Sequence, residues 1–336
     1  MTRRFFLFTL GILTIALAGC SKPEEPSKTD VPTNSETKKT ETPNTSKGVI
    51  GVSLLTLTNP FFKVIGDTIT AEAAKNGYSV EVVSGEFDAA KQQNQVKDFI
   101  VKKVAAIVLT PCDSKAIGPA IKEANDAGIP VFTADIASMA SEGKVVTHIA
   151  TDNYSGGKEA GKAIIEALGE AGGKIAILSF PKVESCIMRV KGFKETLDEH
   201  NKGRTAGKIT VVSELDAGGA KDQGYKAAED ILQAHGDLVG IFAINDPSAL
   251  GARAALEKAG KADQVKIIGF DGQPEGKQAI KDGKIYADPI QFPDKIAAET
   301  VNSIVKHFAG EKLAPQQLIP TALYRKADGA KDSSLK

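Results

Sequence analysis

From residue 48 onward the chain alternates short aliphatic and β-branched runs with longer stretches in which apolar residues recur every three or four positions. The runs are VIGVSLL, YSVEVVS, AAIVLT and PVFTA, followed by KIAILSF, KITVVSE, VGIFAI and KIIGF. Between them the spacing predicts helices over 61–76, 89–103 and 114–127 in the first set and over 186–200, 221–234 and 248–259 in the second. Strands that are apolar on both faces and separated by helices imply parallel sheets covered on both sides. Two such sets predict an α/β protein with two doubly wound lobes. Asn59-Pro60, Gly128-Ile129-Pro130, Asn245-Asp246-Pro247 and Asp271-Gly272 mark strand ends. Open sheets of this kind bind ligands outside the carboxyl ends of their strands, so polar residues just past each strand are the candidates for chemistry.

The first 47 residues follow neither period. Arg3 and Arg4 precede Phe5–Ala18, an uncharged run of 14 residues, shorter than the roughly 20 needed to span a bilayer and fitting a secretory signal core. The run ends Leu17-Ala18-Gly19-Cys20, which resembles the bacterial lipobox, and implies cleavage after residue 19 with lipidation of Cys20. Ser21–Lys47 holds ten Ser or Thr, four Pro, five Lys, five acidic residues and Val31 as its single aliphatic residue. Such a segment cannot bury enough surface to fold, and a disordered tether over 20–47 is expected. Cys112 and Cys186 remain, and two small buried hydrophobes are a better reading of them than a bridge.

Composition then narrows the function. The 336 residues carry 42 Lys or Arg and 42 Asp or Glu. A balance of zero gives no basic field for nucleic acid. Gly156–Ala163, GGKEAGKA, misses the phosphate-loop signature at its last position, where Ala163 stands in place of the hydroxyl that would ligate magnesium. Small residues packing that helix against a sheet account better for its glycines. His148, His200, His235 and His307 show no ligand spacing, and neither GxSxG nor CxxC occurs. A binding protein without metal or cofactor is therefore expected rather than an enzyme.

Hydrogen-bonding side chains do recur at strand ends, with aromatic residues at one of them: Asn59, Phe61 and Phe62 after the first strand, then Asp135, Arg189, Asn245, Asp271 and Gln291. Each has an ordinary structural reading. Asn59 and Asp271 could cap helices, Phe61 and Phe62 could be core, Arg189 could lie on a solvated helix face, and Gln291 on an edge strand. Taken together they suit a neutral polyol, because carboxylates and amides pair with hydroxyls, a guanidinium donates in a fixed fork, and flat rings cover the C–H face of a sugar.

At these residues the chain resembles the ribose-binding group of periplasmic sugar-binding proteins. The matched segments run from TNPFFK at 58–63 through GIPVFTAD, VTHIATDN, RVKGF, FAINDPSALGA and IIGFDG to DGKIYADPIQFPD at 282–294. The resemblance implies two lobes joined by three crossings, near Ala150–Asn153, Gln291–Pro293 and Thr321–Tyr324, with a monosaccharide between them. The lobes would comprise 48–150 with 292–321, and 151–291 with 322–336. It places the sugar contacts on Asn59, Phe61, Phe62, Asp135, Arg189, Asn245, Asp271 and Gln291, and implies a monomer anchored to the membrane by its lipid and serving the permease of an ATP-binding-cassette importer. Three positions depart from the ribose pattern. Ile136 stands in place of an arginine, Leu55 in place of a serine, and Gly218-Gly219 where a phenylalanine is expected, with Phe180 a candidate for the missing ring. A sensor of sugar or of a quorum signal for a membrane receptor is the alternative output. Sugar-responsive repressors share the core but need an N-terminal helix-turn-helix, in a region here read as leader and tether.

Overall fold

The computed structural model describes residues 46–336; the predicted leader, Cys20 and the tether as far as Thr45 lie outside the described residues. The first part of the chain runs β1 (Val49–Leu54), α1 (Pro60–Lys75), β2 (Ser79–Ser84), α2 (Ala89–Val101), β3 (Ala106–Leu109), α3 (Gly118–Asp126), β4 (Val131–Ala134) and β5 (Val145–Thr151). The second part runs α4 (Asn153–Leu168), β6 (Gly173–Ser179), α5 (Glu184–Asn201), β7 (Ile209–Asp216), α6 (Lys221–Ala234), β8 (Leu238–Ala243), α7 (Asp246–Lys258), β9 (Lys266–Ile268), α8 (Pro274–Lys281) and β10 (Ala287–Ile290). α9 (Pro293–Phe308), β11 (Gln316–Ile319) and β12 (Ala322–Arg325) follow.

Two six-stranded sheets result, ordered β11-β5-β4-β3-β1-β2 and β12-β10-β9-β8-β6-β7. The first is parallel throughout; in the second only β12 runs antiparallel, against β10. Successive strand residues point to opposite faces, and the cores follow that alternation. Ala106 and Val108 of β3 pack with α1 and α9, whereas Ile107 and Leu109 pack with α2 and α3. Ile175 and Ile177 of β6 face α4 and α5, whereas Ala176 and Leu178 face α6 and α7. Both sheets are thus covered on both sides, as the continuous apolar runs predicted.

The chain passes between the sheets three times: between β5 and α4, between β10 and α9, and between β11 and β12. The third passage falls at Pro320–Thr321, ahead of the Thr321–Tyr324 segment expected, because Ala322 already pairs with Ile290 of the second sheet. α3 begins at Gly118 rather than Ser114, since the Asp113 carboxylate holds the amides of Lys115 and Ala116 in a turn. The glycines of α4 also differ from expectation. Gly156 meets the Phe270 ring, but Gly157 and Gly161 face a neighbouring helix, α5, where a Cβ on Gly157 would stand 2.1 Å from the Arg189 carbonyl oxygen. That clash explains why the motif is made of glycine without any phosphate. Cys112 and Cys186 are both buried and unpaired.

Candidate functional site

The strand ends deliver the predicted residues one by one. Asn59 precedes α1 and accepts the Phe61 amide with its Oδ1 at 3.0 Å, so the capping role holds and its Nδ2 is left over. Pro60 then starts the helix with its φ already set, turning Phe61 and Phe62 inward, 3% and 5% exposed. Asp135 follows β4 directly, on left-handed backbone with φ 63°. Asn245 caps α7 through the Ser248 amide at 3.0 Å and donates to the Gly219 carbonyl at 2.9 Å. Asp271 lies beyond β9 with φ 103°, held by an isolated bridge to Ile290. Gln291 ends β10. Aspartate enters left-handed backbone more readily than most residues but is still uncommon there, and such positions cluster where geometry serves a site.

Arg189 corrects the sequence reading. In the second turn of α5, it is 3% exposed rather than on a solvated face. Its Nε donates to Asn153 Oδ1 at 2.8 Å, and its Nη1 donates to the Ile244 carbonyl at 2.7 Å and to Asp271 Oδ1 at 3.0 Å. The guanidinium stacks 3.9 Å from the Phe270 ring centroid. Asp271 also accepts from Gln291 Nε2 at 2.7 Å and from Gln273 Nε2 at 3.2 Å. It is not a helix cap, since Gln273 precedes α8.

All eight residues line one cavity, of about 380 Å³ with its open mouth included. A groove of about 1120 Å³ shares Asn59, Phe87 and Gly219 with it and is bordered by the helix-opening prolines Pro60, Pro247 and Pro274. The smaller cavity holds the chemistry, because the buried hydrogen-bonding groups converge there. Two of them, Asp135 Oδ1 and Gln291 Oε1, are buried acceptors without a protein partner. Such atoms are costly to leave unmatched, so this cavity is built to receive donors.

Burial dominates its electrostatics. It drives the Asp135 carboxyl up to about 7, against the pull of Arg189 and with the push of Asp271 and Glu184. Asp271 is raised by burial too, although Arg189, Gln291 and Gln273 all favour its charged form. Beneath the network lie Asp246 and Asp288, fully buried. Burial and mutual repulsion raise Asp246 well above the usual carboxylate range, while burial takes Asp288 to about 6. Asp246 Oδ2 accepts the Gln273 amide at 2.6 Å, anchoring the loop after Asp271.

Several lining residues escaped the sequence reading. Phe87 stands at φ 61° three residues past β2, a strand-end position that the same rule would have marked. Its ring meets Phe180 edge-on at 6.2 Å, one aromatic from each lobe. Phe180 in turn packs over Gly219, 3.1 Å from where a Cβ would lie, and lines the cavity. Val183 precedes α5 and Cys186 lies in its first turn, while Asn153, outside the lining, orients Arg189 from the first crossing. No spacing in the sequence could have joined these to residues a hundred positions away.

A family model described as the periplasmic binding protein domain matches residues 50–312. The chain belongs to the periplasmic binding protein family. It is 38% identical over 268 residues to the ribose import binding protein of Salmonella typhimurium, covering 80% of this chain and 87% of that one. It is 34% identical to the D-apiose import binding protein of Paraburkholderia graminis, covering 81% and 86%. A solved solute binding protein of an ABC transporter from Mycobacterium smegmatis, with bound glycerol, superposes with TM-score 0.77 at 31% identity over 84% of this chain and 96% of its own. The resemblance to ribose-type periplasmic binding proteins is borne out, and the relatives are binding proteins rather than enzymes by name. Among the described residues no helix is long and apolar enough to cross a membrane, and no His, Cys, Asp and Glu cluster could hold a metal.

Proposed function

We propose that this protein is an exported receptor, anchored through a lipid on Cys20, that encloses one monosaccharide between two lobes and delivers it to the permease of an ATP-binding-cassette importer. The observation carrying the reading is that hydrogen-bonding and aromatic side chains from both sheets line one cavity in which two buried acceptors lack a partner. The lobes are 48–150 with 292–321 and 151–291 with 322–336. Asn59, Phe61, Phe62 and Asp135 hold the sugar from one side; Arg189, Asn245, Asp271 and Gln291 hold it from the other. Such a ligand interacts fully only when the lobes meet, so binding shifts a hinge equilibrium toward the closed form, which the permease reads. The names of the relatives support the importer output. A monomer suffices, since one chain supplies the whole site.

Calorimetry against pentoses, hexoses, deoxysugars and polyols tests the receptor reading: micromolar or tighter binding of at least one is expected, and no binding to any overturns it. Metabolic labelling with a radioactive fatty acid tests the anchor, with label expected on the native chain and absent from Cys20→Ala. Light scattering of the purified protein checks the monomer.

A further inference from the structure

Two buried carboxyl groups of the second lobe lie outside the cavity lining and still have no evident partner. Asp288 belongs to β10, between β9 and β12, and is 0% exposed; Asp246 is the first residue of α7 and is 1% exposed. Asp288 meets Ala249, one turn into α7, over Gly269, and the Asp246 and Asp288 carboxyls lie within hydrogen-bonding reach of each other. Of their four oxygens, Asp246 Oδ2 accepts the Gln273 amide at 2.6 Å, whereas Asp246 Oδ1 and both oxygens of Asp288 receive no donor from elsewhere in the protein. Among the described residues neither carboxyl forms an ion pair, and the Arg189 guanidinium is bonded to Asp271 instead.

Two carboxylates cannot meet in this way, because like charges so close and so deeply buried repel and each ion has lost its water. One proton between them removes both penalties, since one carboxyl becomes a donor and the other its acceptor. A proton also fits the packing. A Cβ on Gly269 would collide with Asp288 Oδ1, and one on Gly276 with Asp246 Oδ1. Burial first, with the charge of Asp271 adding to it, raises both groups, Asp288 to about 6 and Asp246 well above the carboxylate range.

A short path ties the pair to the site. Asp246 holds the Gln273 amide, and the Gln273 side chain donates to Asp271 Oδ2 at 3.2 Å, while Arg189 and Gln291 hold the other oxygen of Asp271. Asp288 stands two residues before Ile290, whose bridge fixes the Asp271 backbone. We infer that Asp246 and Asp288 share a single proton in the folded protein and act as positioning residues, holding the 271–273 loop so that Asp271 meets the sugar in one geometry. The positioning rests on the sugar-receptor reading; the shared proton does not. When that proton leaves to solvent, two like charges remain under the loop and Asp271 loses its support.

Chemical denaturation of the full chain from pH 5 to 8 tests the proton. The folded pair keeps a proton that the unfolded chain releases above about 4, so its contribution to stability falls as pH rises. Asp288→Asn supplies an amide hydrogen in place of that proton, and its folding equilibrium constant is expected to fall less steeply than that of wild type, by about tenfold per pH unit. A difference under about threefold per unit overturns the shared proton. Calorimetry at pH 7, with the tightest binder among D-ribose, D-allose, D-galactose and myo-inositol, tests the positioning. Asp288→Ala is expected to weaken binding at least about tenfold, and Asp288→Asn to restore it to within about threefold of wild type. Equal affinities of the two variants overturn the positioning role. Should Asp288→Ala not fold, Asp246→Asn takes its place, with affinity expected within about threefold of wild type and a larger loss overturning the role. If none of these sugars binds to wild type, it is the receptor reading that fails, and the pH slopes still decide the proton.

Discussion

Asp135 and Asp271 are both buried carboxylates on left-handed backbone at the end of a strand, yet the two lobes hold them differently. Asp271 sits in a closed circuit: Arg189, Gln273 and Gln291 all donate to it, Arg189 is oriented by Asn153 and braced by Phe270, and the Gln273 amide is fixed by Asp246. Asp135 stands beside Ile136, with one oxygen that meets no donor at all. The second lobe carries a polar network assembled in advance. The first presents Asp135 beside Leu55 and Ile136 with one buried acceptor unmatched. The second lobe thus holds its carboxylate in protein hydrogen bonds before any ligand arrives, whereas the first still has an acceptor to offer.

The largest effect is expected at Asp271. Asp271→Ala leaves the Arg189 guanidinium buried without its counter-ion, and removing one partner of such a pair costs about 3–5 kcal/mol of stability. Calorimetry and chemical denaturation should show sugar binding abolished and the unfolding midpoint lowered. Binding within tenfold of wild type would mean that the network does not hold the ligand.

Asp135→Asn is expected to weaken binding about tenfold, the scale of a hydrogen bond to a charged acceptor. It also tests the pH response. Burial holds the Asp135 carboxyl near 7, with Arg189, Asp271 and Glu184 as the charged groups that act on it. A ligand hydroxyl donates better to the carboxylate than to the acid, so sugar affinity should rise as pH passes from 6 to 8, and Asp135→Asn should flatten that rise.

The same group should move the stability of the ligand-free protein in the opposite direction. Its folded pKa lies above the unfolded one, so the folded state keeps a proton that the unfolded chain releases. Its contribution is therefore fully present below about 4 and is lost as pH climbs to about 7. Asp135→Asn should be stabilised relative to wild type near pH 8 and not at pH 4, by denaturant midpoints measured at both.

The smallest expected effect is at Ser114, which touches no part of the cavity but bridges the lobes. Ser114→Ala removes the acceptor of the Glu184 amide, and one net hydrogen bond is worth about 0.5–1.5 kcal/mol. All sugars should bind about two- to tenfold more weakly, with their ranking unchanged. A changed ranking would show that Ser114 shapes the site rather than the closure.

Much of the fold was legible because it repeats. Eight strands and six helices of the two lobes follow from alternating apolar runs and amphipathic spacing, and α6 falls on the predicted 221–234. The four remaining strands were less visible from pattern alone: β5, β10, β11 and β12 are short or half-buried, and β12 owes its direction to pairing with β10. At the site, all eight predicted residues line the cavity, seven of them at or near strand ends, where the carboxyl edge of a parallel sheet gathers them, and Arg189 from inside α5. The rule could not say which would be buried. Arg189 looked solvated because nothing in RVKGF shows that Asp271 and the Ile244 carbonyl lie opposite it.

The sequence by itself determined the doubly wound architecture, the strand-end positions of the polar residues and the neutral character that suits an uncharged ligand, because each depends on local period, turn chemistry or composition. Only the tertiary structure decided that Asp271 is locked in a circuit while Asp135 is not, that Phe180 stands over Gly219, and that Leu55, Ile136, Val183 and Cys186 line the same cavity. Those arrangements depend on β3 lying between β1 and β4 and on Ser114 meeting the approach to α5 from the other lobe. They join residues separated by up to 131 positions, and burial and hydrogen-bond matching over that separation exist only once the chain has closed on itself.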